Sequence, residues 1–505
     1  MLHEFLSILT NPGILLVSVI AMAFGILMGA LPGLTAPMAM ALLLGFVYTL
    51  PTDVSVIAMI MIFLGGVYGG SMSAILLNIP GAPASAATAL DGHPLAQQGK
   101  AGRAIGLVTV SSAFGSFMGA IFMALLTPWL VRFSLQFASW ELLLLVLFGI
   151  IIAGTLSSDD PVKGWISGFL GLLIAMTGFD DLHSVPRFTF GSSYLSGGVG
   201  LIAAIVGLFG VSQVILSMGP VKSGSVFVTR ELSRVMPSLQ DLRGKLRLSL
   251  QSSVIGTIIG ILPGIGADMG AWASYSAAKQ TSKTPELFGK GSVEGVIAAE
   301  TGNNAVVPGS IIPVIALGLP GSAGAAIFMA ALFLHGLKPG PTFLIDNLQL
   351  FHYIVSGLLI GSVLLCVVGL VLARGMINIL RVPREHIMAV VIALAVIGAY
   401  ASKLQFNDLW MMLGFGLLGL AMRALGFSLA PLVLGIVLGR PLDEYLRNAL
   451  VISGGDLAEI FQRPVATVLL LLLVLFIALG IPSIRSAALA GLQRIPVPGQ
   501  GRKAE

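Results

Sequence analysis

From Phe5 to Thr52 the chain carries no Asp, Glu, Lys or Arg. The same holds from Val54 to Leu90, Ala104 to Val131, Leu248 to Ala267 and Thr301 to Leu337. A membrane-crossing helix needs about 20 apolar residues, and within a bilayer every backbone N–H and C=O must be satisfied by the protein itself. A soluble core has no use for so many uncharged runs. Charged residues make up 10% of the 505, and the mean hydropathy is +0.99, whereas soluble domains carry about 25% charge. The chain is therefore predicted to be an all-α polytopic membrane protein. Counting apolar runs gives about 12 transmembrane helices, some broken or re-entrant.

The net charge of +5 is no nucleic-acid signal, because the basic residues sit in the connections between apolar runs, as the positive-inside rule expects. The surroundings are a lipid bilayer, and no nucleic-acid partner is expected. No basic segment precedes the first apolar run, so a cleaved signal peptide is not expected. Cys366 is the only cysteine, which excludes an internal disulfide framework.

One stretch occurs twice. Gly29, Leu31, Pro32 and Gly33 return as Gly260, Leu262, Pro263 and Gly264. Gly70-Ser71 leads to Pro80-Gly81, and Gly309-Ser310 leads to Pro320-Gly321. Proline removes a backbone donor and glycine loosens the chain, so each Pro-Gly is predicted to interrupt a helix. Interrupted apolar segments at matching places in two halves point to a transport site near the membrane midplane. The expected organisation is a first repeat over 1–217, a cytoplasmic connecting loop over 218–247, a second repeat over 248–482 and a basic tail over 483–505. The repeats are expected to have inverted topology. The loop, with Lys222, Arg230, Arg234, Arg243, Lys245 and Arg247, and the C-terminal tail should both face the cytoplasm.

The apolar stretches around the breaks hold no Lys or Arg. An anion bound there must use backbone N–H groups at helix N-termini and the positive dipole end. Ser71, Asn78, Pro80, Gly81, Ser85, Ser310, Pro320, Gly321 and Ser322 are the candidate substrate-binding residues. Ser322 is also a plausible N-cap. Gly33, Thr35, Gly264, Asp268, Asn303 and Asn304 are the candidate coupling-ion residues. Asn303 and Asn304 lie between Gly302 and Pro308-Gly309, where unwound backbone is expected, and asparagine oxygens suit Na⁺. A proton-coupled alternative rests on Asp268 or Glu300, since an acid at membrane depth is functional by default. Asp268 as a helix cap, and Glu300 and Glu294 as helix-end residues, are the plainer alternatives. Asp91 to Pro94 read as a polar turn. Lys100 and Arg103 read as a membrane-edge anchor.

The strings Gly29 to Thr35, Tyr68 to Gly81, Thr88 to Ala96, Gly260 to Ala267 and Glu300 to Ala305 resemble the tripartite tricarboxylate transporters, specifically their large membrane subunit of the TctA type. The resemblance covers nearly the whole chain. It implies a secondary transporter of the bacterial inner membrane that takes up di- or tricarboxylates on a cation gradient. It also implies two partners, a small membrane subunit and a periplasmic solute-binding protein.

The scattered histidines lack metal-ligand spacing, and no Walker-type loop is present, so neither an enzyme nor an ATPase is expected. No cofactor is expected beyond a coupling ion, Na⁺ or H⁺. The rival classes are a passive anion channel and a carrier of another small organic anion.

Overall fold

The computed structural model describes all residues except 157–159, 181–184, 219–234, 265, 381 and 482–505. Lys222, Arg230 and Arg234 of the connecting loop, Asp181, His183 and the basic tail beyond Ile481 lie outside the described residues.

The first of the two related stretches folds as α1 (Pro12–Ala30), α2 (Ala36–Val47), α3 (Thr52–Leu77) and α4 (Ser85–Leu95), and α5 (Ala101–Ser134) follows. The second folds as α6 (Leu246–Ile261), α7 (Gly266–Thr281), α8 (Val293–Leu317) and α9 (Ala323–Leu334). Each is a helix, a Pro-Gly break, a second helix, then a long helix, a second Pro-Gly break and a short helix. Among the described residues five helices are long and apolar enough to cross a membrane, and seven shorter apolar helices accompany them. Outside the related stretches lie Ser139–Leu156, Pro161–Ala175, Leu348–Ile379, Arg384–Lys403, Phe406–Ala424, Leu429–Ile452 and Pro464–Gly480. Among the described residues the β structure is one two-residue pairing, Gly178–Phe179 with Pro186–Arg187. The chain is thus an all-α, multi-pass membrane protein.

The helix crossings are made by small residues, which let backbones approach within a membrane. A Cβ on Gly29 would lie 2.1 Å from the Gly66 carbonyl oxygen, and one on Gly260 would lie 2.8 Å from that of Val306. The first breaks turn at Gly33 (φ 89°) and Gly264 (φ 76°), a left-handed geometry that favours glycine. After α3 and α8 the chain turns at left-handed caps, Asn78 (φ 56°) and Gly318 (φ 69°). The Gly81 N–H then donates to the Gly70 carbonyl at 3.3 Å, and the Gly321 N–H to the Ser310 carbonyl at 3.2 Å. Gly70 therefore corresponds to Ser310, one residue away from the Gly-Ser pairing that the sequence suggests.

The stretches interlock. Asp91 of α4 accepts from the backbone N–H groups of Gly289, Gly291 and Ser292 at 2.7–2.8 Å, just ahead of α8. His335, just past α9, binds the hydroxyls of Thr52 (3.3 Å) and Ser55 (2.8 Å) in the first turn of α3. Each short helix thus ties to the start of the other stretch's long helix.

Three local expectations are corrected. Asp91 to Pro94 do not form a turn but lie within α4, because the buried Asp91 carboxylate is satisfied by the loop before α8 and by the Tyr275 hydroxyl at 2.9 Å. Residues 303–309 are not unwound, since α8 runs unbroken through Pro308 and Pro313. An interior proline loses the bond to the fourth preceding carbonyl and crowds that carbonyl, at about 3 kcal/mol, and tight neighbours offset this. Gly115 of α5 illustrates this, with its missing Cβ only 2.2 Å from the Thr301 carbonyl oxygen. Arg103 is more than an edge anchor, since it forms an ion pair with Asp241.

Candidate functional site

A cavity of about 160 Å³ lies where the four breaks meet. Thr35, Ala36 and Pro37 line it from the start of α2, and Ala82, Pro83 and Ala84 from the start of α4. Gly266, Ala267 and Asp268 line it from the start of α7, and Ser322, Ala323 and Gly324 from the start of α9. Phe63, Gly66 and Val67 of α3 and Asn303, Val306 and Val307 of α8 complete the wall. Every lining residue has its counterpart. Thr35 to Pro37 match Gly266 to Asp268 at the spacing that separates Gly33 from Gly264. The others pair at the spacing that separates Gly81 from Gly321: Phe63 with Asn303, Gly66 with Val306, Ala82 with Ser322, Ala84 with Gly324.

Four helices therefore begin at the cavity, each turning the positive end of its dipole toward it, while the N–H groups of Ser85, Ala86 and Ala87 in α4 are taken by the carbonyls of Ala82, Pro83 and Ala84. Among the described residues no Lys, Arg or His lines it. The side-chain polarity is lopsided. The second stretch brings Asp268, Asn303 and Ser322, whereas the first has Pro37, Phe63 and Ala82 in the same places and contributes Thr35 alone.

Asn303 is fully buried, and neither its amide nitrogen nor its amide oxygen has a partner among the described residues. An unpaired buried polar group costs about 1–3 kcal/mol, and this one borders the cavity. The Thr35 hydroxyl does not cap α2. Ser322 does cap α9, accepting from the Ala325 N–H at 3.1 Å, and its hydroxyl donates to the Ser310 hydroxyl at 3.2 Å. The Asp268 carboxylate faces the Ala84 N–H across the cavity.

The other sequence-derived candidates fall elsewhere. Gly81 and Gly321 do not line the cavity. A Cβ on Gly81 would lie 2.4 Å from the Gly29 carbonyl oxygen, and one on Gly321 1.9 Å from that of Gly260. These glycines, with Pro80 and Pro320, seat one break on the other. Asn78 is an exposed cap outside the site. Gly33 and Gly264 shape the turns. Asn303 and Asn304 do not act as a pair, because Asn304 turns away to a second centre.

That centre is Glu300, fully buried in α8. Its Oε1 accepts from the hydroxyls of Ser71 and Thr88. Its Oε2 accepts from Ser112 at 2.8 Å and from the Asn304 amide at 3.4 Å. Ser85 lies 3.4 Å from the Ser71 hydroxyl. Sequence reasoning left Ser112 and the centrality of Glu300 unrecognised, although the i, i+4 spacing of Glu300 and Asn304 was a usable signal.

A larger hollow of about 300 Å³, near Lys403 and Arg440, lies at the far end of α9. It is about 15 Å from the breaks at 1.5 Å of rise per residue.

Fold and site together define a polytopic transport protein with a small central cavity walled by paired, broken helices. Residues 15–434 match the tripartite tricarboxylate transporter TctA family, and the chain belongs to that family. It is thus a component of a tricarboxylate transport system. It is 34% identical over 468 residues to an uncharacterized 52.8 kDa protein of the TAR-I ttuC' 3' region of Agrobacterium vitis, covering 92% of this chain and 93% of that protein. It is 38% identical over 222 residues to an uncharacterized protein of the TAR-II ttuC' 3' region of the same organism, covering 44% of this chain and 92% of that one. No solved structure matches.

Proposed function

We propose that the chain is the large permease subunit of a three-part secondary carrier that takes up di- or tricarboxylates on a cation gradient. A periplasmic binding protein delivers the substrate, a small membrane subunit completes the permease, and the assembly sits in the bacterial inner membrane. The related stretches act as inverted repeats about a pseudo-two-fold axis through the cavity, with the 218–247 loop and the C-terminus in the cytoplasm.

The observation that carries this reading is the meeting of four helix N-termini and the unpartnered Asn303 in one cavity without a basic residue. Partly buried helix ends favour an anion by up to about 2 kcal/mol each, so four together replace a lysine or arginine. The volume suits a small polycarboxylate and falls below the roughly 300–1,000 Å³ of sites for drug-sized ligands. Asp268 opposes an anion while ionised. Its neutralisation by Na⁺ or H⁺ would couple substrate entry to the cation. The test is uptake of labelled citrate and related carboxylates into proteoliposomes holding all three subunits, with the cation gradients varied one at a time. Substrate-dependent counterflow marks a carrier, and its absence alongside passive flux marks a channel.

A further inference from the structure

We infer that Glu300 is a second, separate centre that binds and releases a proton at Oε1. The inference rests on the carrier reading only for the use to which that proton is put.

Glu300 is fully enclosed, and its side-chain partners are all neutral: Ser71 of α3, Thr88 of α4, Ser112 of α5 and Asn304 of α8 itself. Among the described residues no charged group bonds the Glu300 carboxylate, and the following groups on the packed helices are engaged elsewhere. On α3 the facing group is Tyr68, bonded to Thr109 at 2.7 Å. On α4, Asp91 is held by the loop before α8, and the His93 ring binds the Ile75 carbonyl. On α5, Arg103 pairs with Asp241, and on α8 itself Glu294 pairs with Lys245. On α7, Asp268 lines the cavity. An ionised carboxylate at membrane depth without a counter-charge is costly, so the charge must be balanced by something that arrives.

The partners decide what arrives and where. Asn304 Nδ2 can only donate, and it bonds the Ser112 oxygen at 2.8 Å and the Glu300 backbone carbonyl at 3.0 Å, with Oε2 the longer contact at 3.4 Å. The bond to Ser112 leaves the Ser112 hydroxyl hydrogen for Oε2, so Oε2 stays an acceptor. Oε1 meets two hydroxyls, and a hydroxyl both donates and accepts. When a proton lands on Oε1, the new O–H donates to Ser71 Oγ, and the Ser71 hydrogen turns to Ser85 Oγ, 3.4 Å away. Both charge states are thereby satisfied without moving a helix. Ser85 follows Ala84 of the cavity wall in the chain without lining the cavity itself, so Ser71 and Ser85 extend a hydroxyl chain from Glu300 in the direction of the cavity. Because the cage joins α3, α4 and α5 to α8, gain or loss of this proton alters the grip of the first stretch on the second.

The test is pH-titrated infrared spectroscopy of the purified full-length chain in liposomes, with citrate uptake by the complete three-subunit assembly measured alongside. A protonated-carboxyl C=O band that grows as pH falls should be absent in Glu300→Gln and retained in Asp268→Asn. Ser112→Ala, which removes one hydrogen bond to Oε2, the carbonyl oxygen once Oε1 carries the proton, should shift the band to higher frequency. Should Glu300→Gln fail to fold, the Ser112→Ala shift still decides. An identical band in Glu300→Gln or Ser112→Ala, or one that ignores pH, overturns the proposal. Failure of the carboxylate reading looks different: no carboxylate is taken up, yet the Glu300 band remains. Failure of the proton site alone leaves citrate uptake intact with no band assignable to Glu300.

Discussion

A Cβ on Gly321 would sit 1.9 Å from the carbonyl oxygen of Gly260. The second Pro-Gly break is thus seated on the end of the helix leading into the first, and the Gly81–Gly29 contact repeats the arrangement at 2.4 Å. The obstacle is backbone, which cannot rotate aside as a side chain can. Gly321→Ala and Gly81→Ala should therefore destabilise the protein by at least the 1–3 kcal/mol typical of overpacking, lowering Tm and membrane yield along with transport. Gly414, mid-helix with nothing within 4 Å of an added Cβ, is a neutral control, and Gly414→Ala should leave Tm unchanged or raise it slightly. Detergent thermal-shift curves of the three variants check this.

Asn303→Ala should behave in the opposite way. It removes a buried amide that has no protein partner, so Tm should hold or rise. Loss of a ligand hydrogen bond of about 1–3 kcal/mol corresponds to roughly 5–150-fold weaker citrate binding, taking about 1.4 kcal/mol per tenfold. Binding titrations and Tm measured on the same preparation separate the two effects.

Asp268→Asn removes the charge that opposes an anion at the start of α7. Citrate binding should then need no cation, while uptake against a gradient is lost because the coupling step is gone. Binding measured with and without Na⁺, and across pH, checks the first half. Counterflow in proteoliposomes checks the second.

The basic connecting loop gives a topology prediction. With Cys366 replaced, Ser225→Cys should resist an impermeant thiol reagent in intact spheroplasts and react once the membrane is permeabilised. Ready labelling from outside would reverse the orientation.

The four breaks were legible in the sequence because Pro and Gly act locally, through one missing donor and a left-handed turn at Gly33 and Gly264. The continuity of α8 through Pro308 was not, because it depends on neighbours such as Gly115 and Gly256 that arrive from distant parts of the chain. Asp91 looked like a turn residue for the same reason, its partners Gly289, Gly291 and Ser292 being far away in sequence. The candidate polar residues were found in the second stretch, but their division between cavity and Glu300 cage was not. Asn303 and Asn304 are adjacent in sequence yet about 100° apart around a helix, and they face different surroundings.

The central claim, that the carboxylate occupies the cavity between the breaks, is tested most directly by substrate protection. Thr35→Cys reports from the first stretch and Ala323→Cys from the second, each in a chain lacking Cys366 and assembled with both partner subunits. The account predicts that citrate slows thiol modification at both positions and leaves Ser225→Cys unaffected. Unaltered modification at both positions, in an assembly that still takes up citrate, would contradict it.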